Sequence, residues 1–229
     1  MAQPTPHSIA KATVRDAIVA FAAGYDALSI PVERRVTLYL RKDHLYAVGG
    51  RVGQRPLPSV VCYDPATNVW LVVAPMTTAR GYHGVAVLEG LLCAVGGHDG
   101  TSSLSSVERF DPATNVWSPV APMTTARADH GVAVLEGLLY AVGGHDGTRP
   151  LSSVERFDPA TNVWSVVAPM TTARAFYGVA VLGGVLYAIG GYYGPLDLSS
   201  VECYDASTDV WSVVAAMPTV RDAFGAVTI

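Results

Sequence analysis

The chain has 229 residues, of which 50% are hydrophobic and 15% charged, and a formal net charge of −4. This charge excludes bulk electrostatic attraction to nucleic acid or to an anionic membrane, and no apolar run reaches the roughly 18 residues of a membrane-spanning helix. Three widely spaced cysteines (Cys62, Cys93 and Cys203) form no disulfide framework, and the N-terminus lacks the basic and apolar regions of a signal peptide. These features predict a cytoplasmic protein with reduced thiols.

Residues 1–32 are predicted to be an N-terminal extension outside the main domain. Ser8 is a suitable helix cap. Apolar side chains recur at helical spacing after it, at Val14, Ile18, Phe21, Tyr25 and Leu28. This pattern predicts a short helix over residues 9–27. The alternative is a degenerate copy of the repeat described next, because residues 13–17 resemble residues 219–223.

Beyond this extension the sequence repeats with a step of 47 residues. A Gly-Gly pair, an aromatic–Asp pair, a tryptophan and an arginine all keep that step. The tryptophans are Trp70, Trp117, Trp164 and Trp211, and the arginines are Arg80, Arg127, Arg174 and Arg221. Residues 81–127 and 128–174 differ at only six of their 47 positions. A fixed period of this length indicates an array of equal structural units.

Each unit is predicted to form four short β-strands, as the second unit shows. Its strands are predicted over residues 84–88, 91–97, 107–110 and 117–120, from short apolar runs and one alternating segment. The sequence Asp-Pro-Ala-Thr-Asn at residues 111–115 has the composition of a turn. Strands this short and apolar are not stable alone, so the units are expected to pack as four-stranded blades around an axis.

The spacing of these residues resembles the kelch repeat. A diglycine ends the second strand, an aromatic residue lies in the third, a Trp follows seven residues later and an Arg ten residues after that. Residues 104–111 (Leu-Ser-Ser-Val-Glu-Arg-Phe-Asp) and 121–123 (Ala-Pro-Met) are similar to kelch domains of the BTB–kelch proteins. The resemblance covers residues 33–229 and implies an all-β fold, the kelch-type β-propeller.

The resemblance also implies four complete four-stranded blades. The first blade is expected to take its innermost strand from around residues 36–40, and residues 221–229 match the innermost strand of a fifth unit. Propellers of this family usually have five to seven blades. Three arrangements therefore stay open: a closed four-bladed ring, an incomplete ring, and a part of a longer propeller.

The motif residues are expected to be mainly structural. The four tryptophans are predicted to be large apolar wedges between blades. The glycine pairs are predicted to let the backbone approach a neighbouring ring closely.

One end of the propeller is predicted to be its variable face. With the strands of a blade called A to D from the axis outward, the D–A linkers and the B–C loops emerge together, at what is called here the loop end. Four of the six differences between the two similar units lie there: Gly81/Ala128, Tyr82/Asp129, Ser102/Arg149 and Ser103/Pro150. The turns at the opposite end are identical in both units.

Arginines are concentrated at the loop end, whereas acidic residues prevail at the opposite end. Because guanidinium pairs bidentately with carboxylate, the loop end is predicted to bind a partner that carries carboxylates, such as an acidic peptide. In BTB–kelch relatives the motif arginine and the residue after Gly-Gly often contact the partner. The resemblance implies this role for Arg51, Arg80, His98, Arg127, His145, Arg174, Tyr192 and Arg221. The alternative is that the arginines only tie down loops or pair within a blade.

Catalytic and metal chemistry find little support in the sequence. The His-Asp pairs at His98 and His145 have no serine nucleophile arranged with them, and histidines one blade apart lack a third metal ligand. Some kelch-like propellers are copper radical oxidases or sugar epimerases, but the oxidases need inserted loops that these near-minimal units do not contain. The expectation is a protein without a metal, a cofactor or enzymatic activity.

The sequence thus predicts a protein–protein interaction scaffold that binds a partner peptide or loop at its loop end. The resemblance implies a narrower function, substrate recognition for a cullin-type ubiquitin ligase. The alternatives are an actin- or cytoskeleton-binding kelch protein and a small-molecule enzyme on a kelch propeller. If the ring is open, self-association is expected, since exposed blade faces and sheet edges favour it.

Overall fold

The computed structural model describes residues 44–228, and every regular element within them is a β-strand. Four antiparallel sheets follow one another along the chain. Sheet 1 has the strand order β1 (Leu45–Val48), β4 (Val60–Asp64), β5 (Val69–Val73), and a small hairpin of β2 (Arg51–Val52) and β3 (Arg55–Pro56) connects β1 to β4. Within the described residues, no helix has the length and apolar character to cross a bilayer.

The next three sheets each have four strands in sequential order. Sheet 2 consists of β6 (Gly84–Leu88), β7 (Leu91–Val95), β8 (Val107–Asp111) and β9 (Val116–Val120). Sheet 3 consists of β10 (Gly131–Leu135), β11 (Leu138–Val142), β12 (Val154–Asp158) and β13 (Val163–Val167). Sheet 4 consists of β14 (Gly178–Leu182), β15 (Val185–Ile189), β18 (Val201–Asp205) and β19 (Val210–Val214), with the hairpin β16 (Tyr192–Tyr193) and β17 (Leu196–Asp197) in its B–C loop.

The predicted strands of the second unit are confirmed, with bounds that differ by at most two residues. The all-β, four-sheet prediction is confirmed as well, although the described part of sheet 1 has three strands. The strand expected around residues 36–40, the helix expected over residues 9–27 and the domain boundary at residue 32 lie outside the described residues.

The turn between strands C and D has the same geometry in every sheet. In sheet 2 the Asp111 side chain accepts a hydrogen bond from the Ala113 N–H (2.8 Å), which closes an Asx turn. Asn115 then has a positive φ of 55°, a conformation that Asn tolerates better than most residues. The turn sets the register in which Phe110 lies opposite Trp117, and their ring centroids are 5.1 Å apart.

Neighbouring sheets are joined by the motif tryptophan. The indole N–H of Trp117 in sheet 2 donates a hydrogen bond to the carbonyl of Ala74, which follows sheet 1 (2.9 Å). The Asn115 side chain accepts a second bond from the Ala74 N–H (3.0 Å). Trp164 and Trp211 donate in the same way to Ala121 and Ala168. Each hydrophobic cluster therefore combines side chains of two successive sheets.

The predicted burial of the tryptophans is confirmed for three of the four. Trp117, Trp164 and Trp211 are each 8% exposed, whereas Trp70 is 54% exposed. Trp70 has the same local sequence, but no sheet precedes sheet 1 in the described residues. The prediction that Trp70 is a buried wedge is therefore wrong, because its burial requires a neighbouring sheet.

The glycine pairs allow the close approach that the sequence predicts. Gly96 has a φ of +58°, and a Cβ built on it would lie 2.9 Å from the His130 ring and 2.5 Å from the Arg127 carbonyl oxygen. The residue that packs here comes from the next unit. Any side chain at Gly96 would push the linker away from its sheet.

The predicted C-terminal strand does not form, since residues 221–228 contain no strand. An innermost strand needs a strand B of its own unit to pair with, and the described residues contain no such strand for this segment. The segment still packs on sheet 4. The Phe224 ring is within about 3 Å of the Cβ position of Gly178, and the Ala223 N–H donates to the Phe176 carbonyl (2.7 Å).

We expect Trp117→Ala to lower the free energy of unfolding by about 3–5 kcal/mol, because it removes a buried aromatic ring and leaves a cavity. Trp70→Ala is the matched control, and its expected loss is about 1 kcal/mol or less because half of that side chain already contacts water. Urea unfolding followed by circular dichroism measures both values. Equal losses in the two variants would contradict the different burial of the two indoles.

Candidate partner-binding face

The structure brings the D–A linkers and the B–C loops together at one end, as predicted. The Gly81 N–H donates to the His98 carbonyl (3.0 Å), and the His98 N–H donates back to the Gly81 carbonyl (2.8 Å). The Gly97 N–H then donates to the carbonyl of Arg127 in the next linker (2.8 Å). Each B–C loop is thus held between two successive linkers.

The motif arginines fasten these linkers to the sheets. Arg80 donates to the Gly96 carbonyl (2.7 Å) and to the carboxylate of Glu108 on β8 (2.7 Å). The same carboxylate accepts the backbone N–H groups of Thr77 (2.6 Å) and Thr78 (3.0 Å) in the linker. Arginine, glutamate and linker backbone therefore form one connected network.

This network is buried and recurs twice more. Arg127 pairs with Glu155 and Arg174 with Glu202, each at 2.7 Å. The side chains of Arg80, Arg127 and Arg174 are all 0% exposed. The prediction that these three arginines contact a partner is therefore wrong, because their guanidinium groups are enclosed and bonded to acceptors of the sheet that follows each linker. The alternative, that they tie down loops, describes what they do.

The glutamates of the network are held in their charged form. Burial by itself would raise the pKa of the Glu155 carboxyl. The hydrogen bonds from Arg127 and from the N–H groups of Thr124 and Thr125 outweigh that effect and hold the pKa below its ordinary value.

Arg221 occupies the same motif position but is exposed. It donates to the hydroxyl of Thr219 (2.7 Å), and it takes part in no ion pair within residues 44–228. The difference arises because the described chain holds no third strand beyond Arg221 that could supply a glutamate. The Arg221 side chain is therefore accessible to a partner, as the predicted contact requires.

Arg51 lies in a pocket at the loop end. Its guanidinium carbon is 4.7 Å from the centroid of the Tyr82 ring, a cation–π distance, and the group also donates to the Tyr82 hydroxyl and to the side-chain oxygen of Gln54. The pocket has a volume of about 280 Å³ and includes His98 and Gly100 in its lining. None of the ion pairs within residues 44–228 involves Arg51.

His98 and His145 shape the B–C loops in which they lie. Nδ1 of His98 accepts the Gly100 N–H, and Nδ1 of His145 accepts the Gly147 N–H, both at 3.0 Å. These bonds leave Nε2 of each neutral ring as the N–H donor. Both side chains are partly exposed, so each can present this donor at the loop end.

The aspartates of the same loops are bonded within the loops. The Thr101 hydroxyl, together with the N–H groups of Ser102 and Thr101, lowers the pKa of Asp99 to about 2. Asp146 has the same arrangement around Thr148, and its pKa is also lowered to about 2. Their charges therefore stabilise the loops that carry them, whereas no carboxylate among residues 44–228 lies in ion-pair contact with Arg51.

Tyr192, the counterpart of the two histidines, is partly exposed and belongs to the hairpin of sheet 4. Its N–H and carbonyl pair with Ala175 of the preceding linker. A second, shallower depression of about 500 Å³ lies near this hairpin and is lined by residues that include Arg149, Pro150 and Tyr193. Partner contact by Arg51, His98, His145, Tyr192 and Arg221 stays a prediction.

The site predictions did not include a row of residues that we call the inner ladder (Tyr82, Asp129, Phe176 and Ala223). The N–H groups of Asp129, Phe176 and Ala223 each donate to the carbonyl of the residue before in this row, at 2.7–3.2 Å, and all four residues have positive φ. Burial raises the pKa of the Asp129 carboxyl to about 6, although the Arg51 charge opposes the rise. The sequence signal was available, because this position differs in every unit.

Two family models match the chain. One, described as the KLHDC2/KLHL20/DRC7 Kelch-repeats domain, matches residues 29–191, and the Kelch motif model matches residues 173–218. The chain belongs to the kelch-repeat family. The first match spans more than two thirds of the chain, and both fall on the sheets, linkers and diglycine positions described above.

Curated relatives match over short segments. The chain is 44% identical to kelch-like protein 21 of Homo sapiens over 50 residues, which are 22% of this chain and 8% of that protein. It is 49% identical to kelch repeat and BTB domain-containing protein 8 of Danio rerio over 43 residues, which are 17% of this chain and 7% of that protein. The matched segments of this kelch-repeat chain thus cover less than a tenth of the length of each relative.

A solved structure shares the fold. The structure of YjhT superposes with a TM-score of 0.64 at 18% sequence identity, over 76% of this chain and 66% of that chain. The likeness shows a common propeller scaffold, and at this identity it shows the fold alone.

The prediction that the chain is not an enzyme is wrong. The kelch scaffold that the chain shares with YjhT is the observation that overturns it. One fold carries both binding proteins and enzymes, so membership of the kelch-repeat family does not exclude catalysis.

We expect Arg127→Ala to lower the free energy of unfolding by about 3–5 kcal/mol, because it leaves the Glu155 carboxylate buried without its counter-ion. Arg221→Ala, at the same motif position but exposed, is the control and should change stability by less than about 0.5 kcal/mol. Chemical denaturation of both variants gives the comparison. An Arg127 variant as stable as the wild type would show that the ion pair does not hold the linker.

A buried histidine should make stability depend on pH. Burial, reinforced by the charge of Arg127, lowers the pKa of His130 well below its ordinary value. The unfolded chain therefore binds a proton near pH 6.5 that the folded chain does not. Stability contributed in this way is complete above that pH and declines as the pH falls.

We expect the free energy of unfolding to fall by about 1–2 kcal/mol for this one residue between pH 7 and pH 5. His130→Tyr should flatten that part of the profile, because Tyr177 occupies the equivalent place in the next unit and has no charge change in this range. Denaturation at a series of pH values measures the slope. An identical slope in the variant would assign the pH dependence to other groups.

Proposed function

We propose that this kelch-repeat propeller is a protein-interaction scaffold that binds an acidic partner peptide at its loop end. The supporting observation is the position of Arg51, which is stacked on Tyr82 inside a pocket and lies in no described ion pair. A guanidinium held by an aromatic ring keeps a defined orientation. Two of its five N–H groups donate to Tyr82 and Gln54, and the others are suited to a carboxylate.

The neighbouring groups suit the same kind of ligand. His98 contributes to the pocket lining and can present its Nε2–H donor. Tyr82 is 48% exposed and offers an amphipathic surface of the type common in protein interfaces. The buried Arg80 network fastens the linker of Tyr82 and the loop of His98. The hairpin of Arg51 is hydrogen-bonded to the same linker through the backbone of Gly50 and Leu57, so little conformational freedom has to be lost on binding.

We propose further that the partner is a substrate presented to a cullin-type ubiquitin ligase. The support is the resemblance to BTB–kelch proteins together with the similarity to a relative whose name joins kelch repeats to a BTB domain. Within this proposal the protein acts in the cytoplasm, in keeping with three cysteines that form no disulfide.

The experiment measures binding to pairs of fluorescent peptides that differ only by Glu→Gln replacement. We expect the acidic member of a binding pair to bind more tightly, and Arg51→Ala to weaken its affinity about tenfold or more, corresponding to about 1.4 kcal/mol. Arg55→Ala is the control, because Arg55 is an exposed arginine of the same hairpin outside the pocket lining. Fluorescence anisotropy gives each Kd.

Two outcomes would contradict the proposal. Equal affinity for the acidic and the amide peptides would show that no carboxylate is recognised. Equal weakening by Arg51→Ala and Arg55→Ala would indicate a general charge effect rather than recognition in the pocket.

A further inference from the structure

Each junction between sheets uses two different faces. The front face of a sheet carries a strand-B leucine, a strand-C aromatic residue and the motif tryptophan. The back face of the preceding sheet carries the last leucine of strand A, the last valine of strand D and the alanine that follows. At the junction of sheets 3 and 4, the front residues Leu186, Tyr204 and Trp211 of sheet 4 belong to one hydrophobic cluster. The same cluster contains the back residues Leu135 and Val167 of sheet 3.

The front face of sheet 1 is exposed. Leu45 is 63% exposed, whereas its counterparts Leu92, Leu139 and Leu186 are 7%, 0% and 0% exposed. Trp70 differs from the other motif tryptophans in the same direction, at 54% against 8%. Sheet 1 thus presents a face that is buried in every later sheet.

The back face of sheet 4 is exposed as well. Leu182 is 57% exposed, whereas Leu88 and Leu135 are each 3% exposed. Val214 is 37% exposed, against 8% for its counterpart Val167. The equivalent apolar positions of the other sheets are buried. Exposed apolar surface of this kind marks an interaction site.

The two exposed faces also carry complementary hydrogen-bonding groups. At the internal junctions the tryptophan indole donates to the alanine carbonyl and the turn residue accepts the alanine N–H. Trp70 and Asn68 supply that donor and acceptor on the front of sheet 1, and Ala215 supplies their counterparts on the back of sheet 4. Asn68 already accepts the Tyr63 hydroxyl (2.8 Å), as Asp209 does with Tyr204 while it also binds Ala168.

We propose that a second copy of this chain docks head to tail, with the front face of sheet 1 on the back face of sheet 4. A second copy is the occupant because its faces reproduce, group by group, the junction that already joins successive sheets three times within the chain. The two faces of one chain do not cover each other, since both are exposed in the same structure. Such a contact is heterologous, so it either closes a ring of copies or continues as a chain of them.

The test begins with the mass of the 229-residue chain in solution. Sedimentation velocity over a range of concentrations is expected to show species heavier than the 24.1 kDa of one chain, in proportions that rise with concentration. A single 24.1 kDa species at all concentrations would overturn the proposal.

Charged substitutions then test each face separately. Trp70→Glu on the front and Leu182→Glu on the back should each abolish the heavier species, while circular dichroism remains that of the wild type because both side chains are exposed in the single chain. Val213→Glu is the matched control. Val213 is 64% exposed, and its counterpart Val166 is 65% exposed although a sheet follows it, so this position lies outside the junction and the variant should associate normally.

Mixing the two defective variants distinguishes head-to-tail docking from other contacts. Each variant keeps one intact face, so an equimolar mixture should form a species of twice 24.1 kDa and nothing larger. A mixture that stays monomeric, or a Val213→Glu variant that fails like Leu182→Glu, would overturn the proposal. If Trp70→Glu does not fold, Leu45→Glu tests the same face.

Discussion

The loop end depends on one repeated interaction, the buried ion pair between a linker arginine and a glutamate of the third strand. Removing two charges from water costs several kcal/mol per ion, and hydrogen bonds to most of the other donors and acceptors offset that cost, although the buried Nε–H of each arginine has no partner within the described residues. Here Glu155 accepts two linker N–H groups and Arg127 donates to a backbone carbonyl. The same atoms connect linker to sheet in three successive units. The loops at this end are therefore rigidly attached to the sheets and hold their variable side chains in place.

A second constraint orders the sheets along the array. Each sheet buries its tryptophan only against the sheet before it, so stability is a sum over nearest neighbours, as in other repeat proteins. The two outermost faces therefore have the composition of an interior and the exposure of a surface. This explains why Trp70 and Leu182, which occupy ordinary motif positions, are more than half exposed in the described chain.

The regular repeat in the sequence was a reliable guide to the scaffold but a misleading guide to the binding site. The strands, the turn at residues 111–115 and the shared end of the two loop types followed from hydrophobic pattern and turn chemistry, which act over a few residues. The motif arginines keep the period because they pair with glutamates inside the scaffold. The same regularity leads to the prediction that Arg80, Arg127 and Arg174 contact a partner. Tyr82, which lines the pocket, and its counterpart Asp129 in the inner ladder depart from the period.

The sequence by itself determined the period, the strand positions, the kelch resemblance and the end at which the units vary, because each depends on residues that are close together in the chain. Only the tertiary structure decided which of several equivalent residues are buried. Trp70 and Trp117, or Arg221 and Arg127, occupy the same motif positions yet differ in exposure. The reason is that burial depends on the neighbours of a residue in space. The repeat gives every sheet the same contact residues, but within residues 44–228 no sheet precedes sheet 1 and none follows sheet 4.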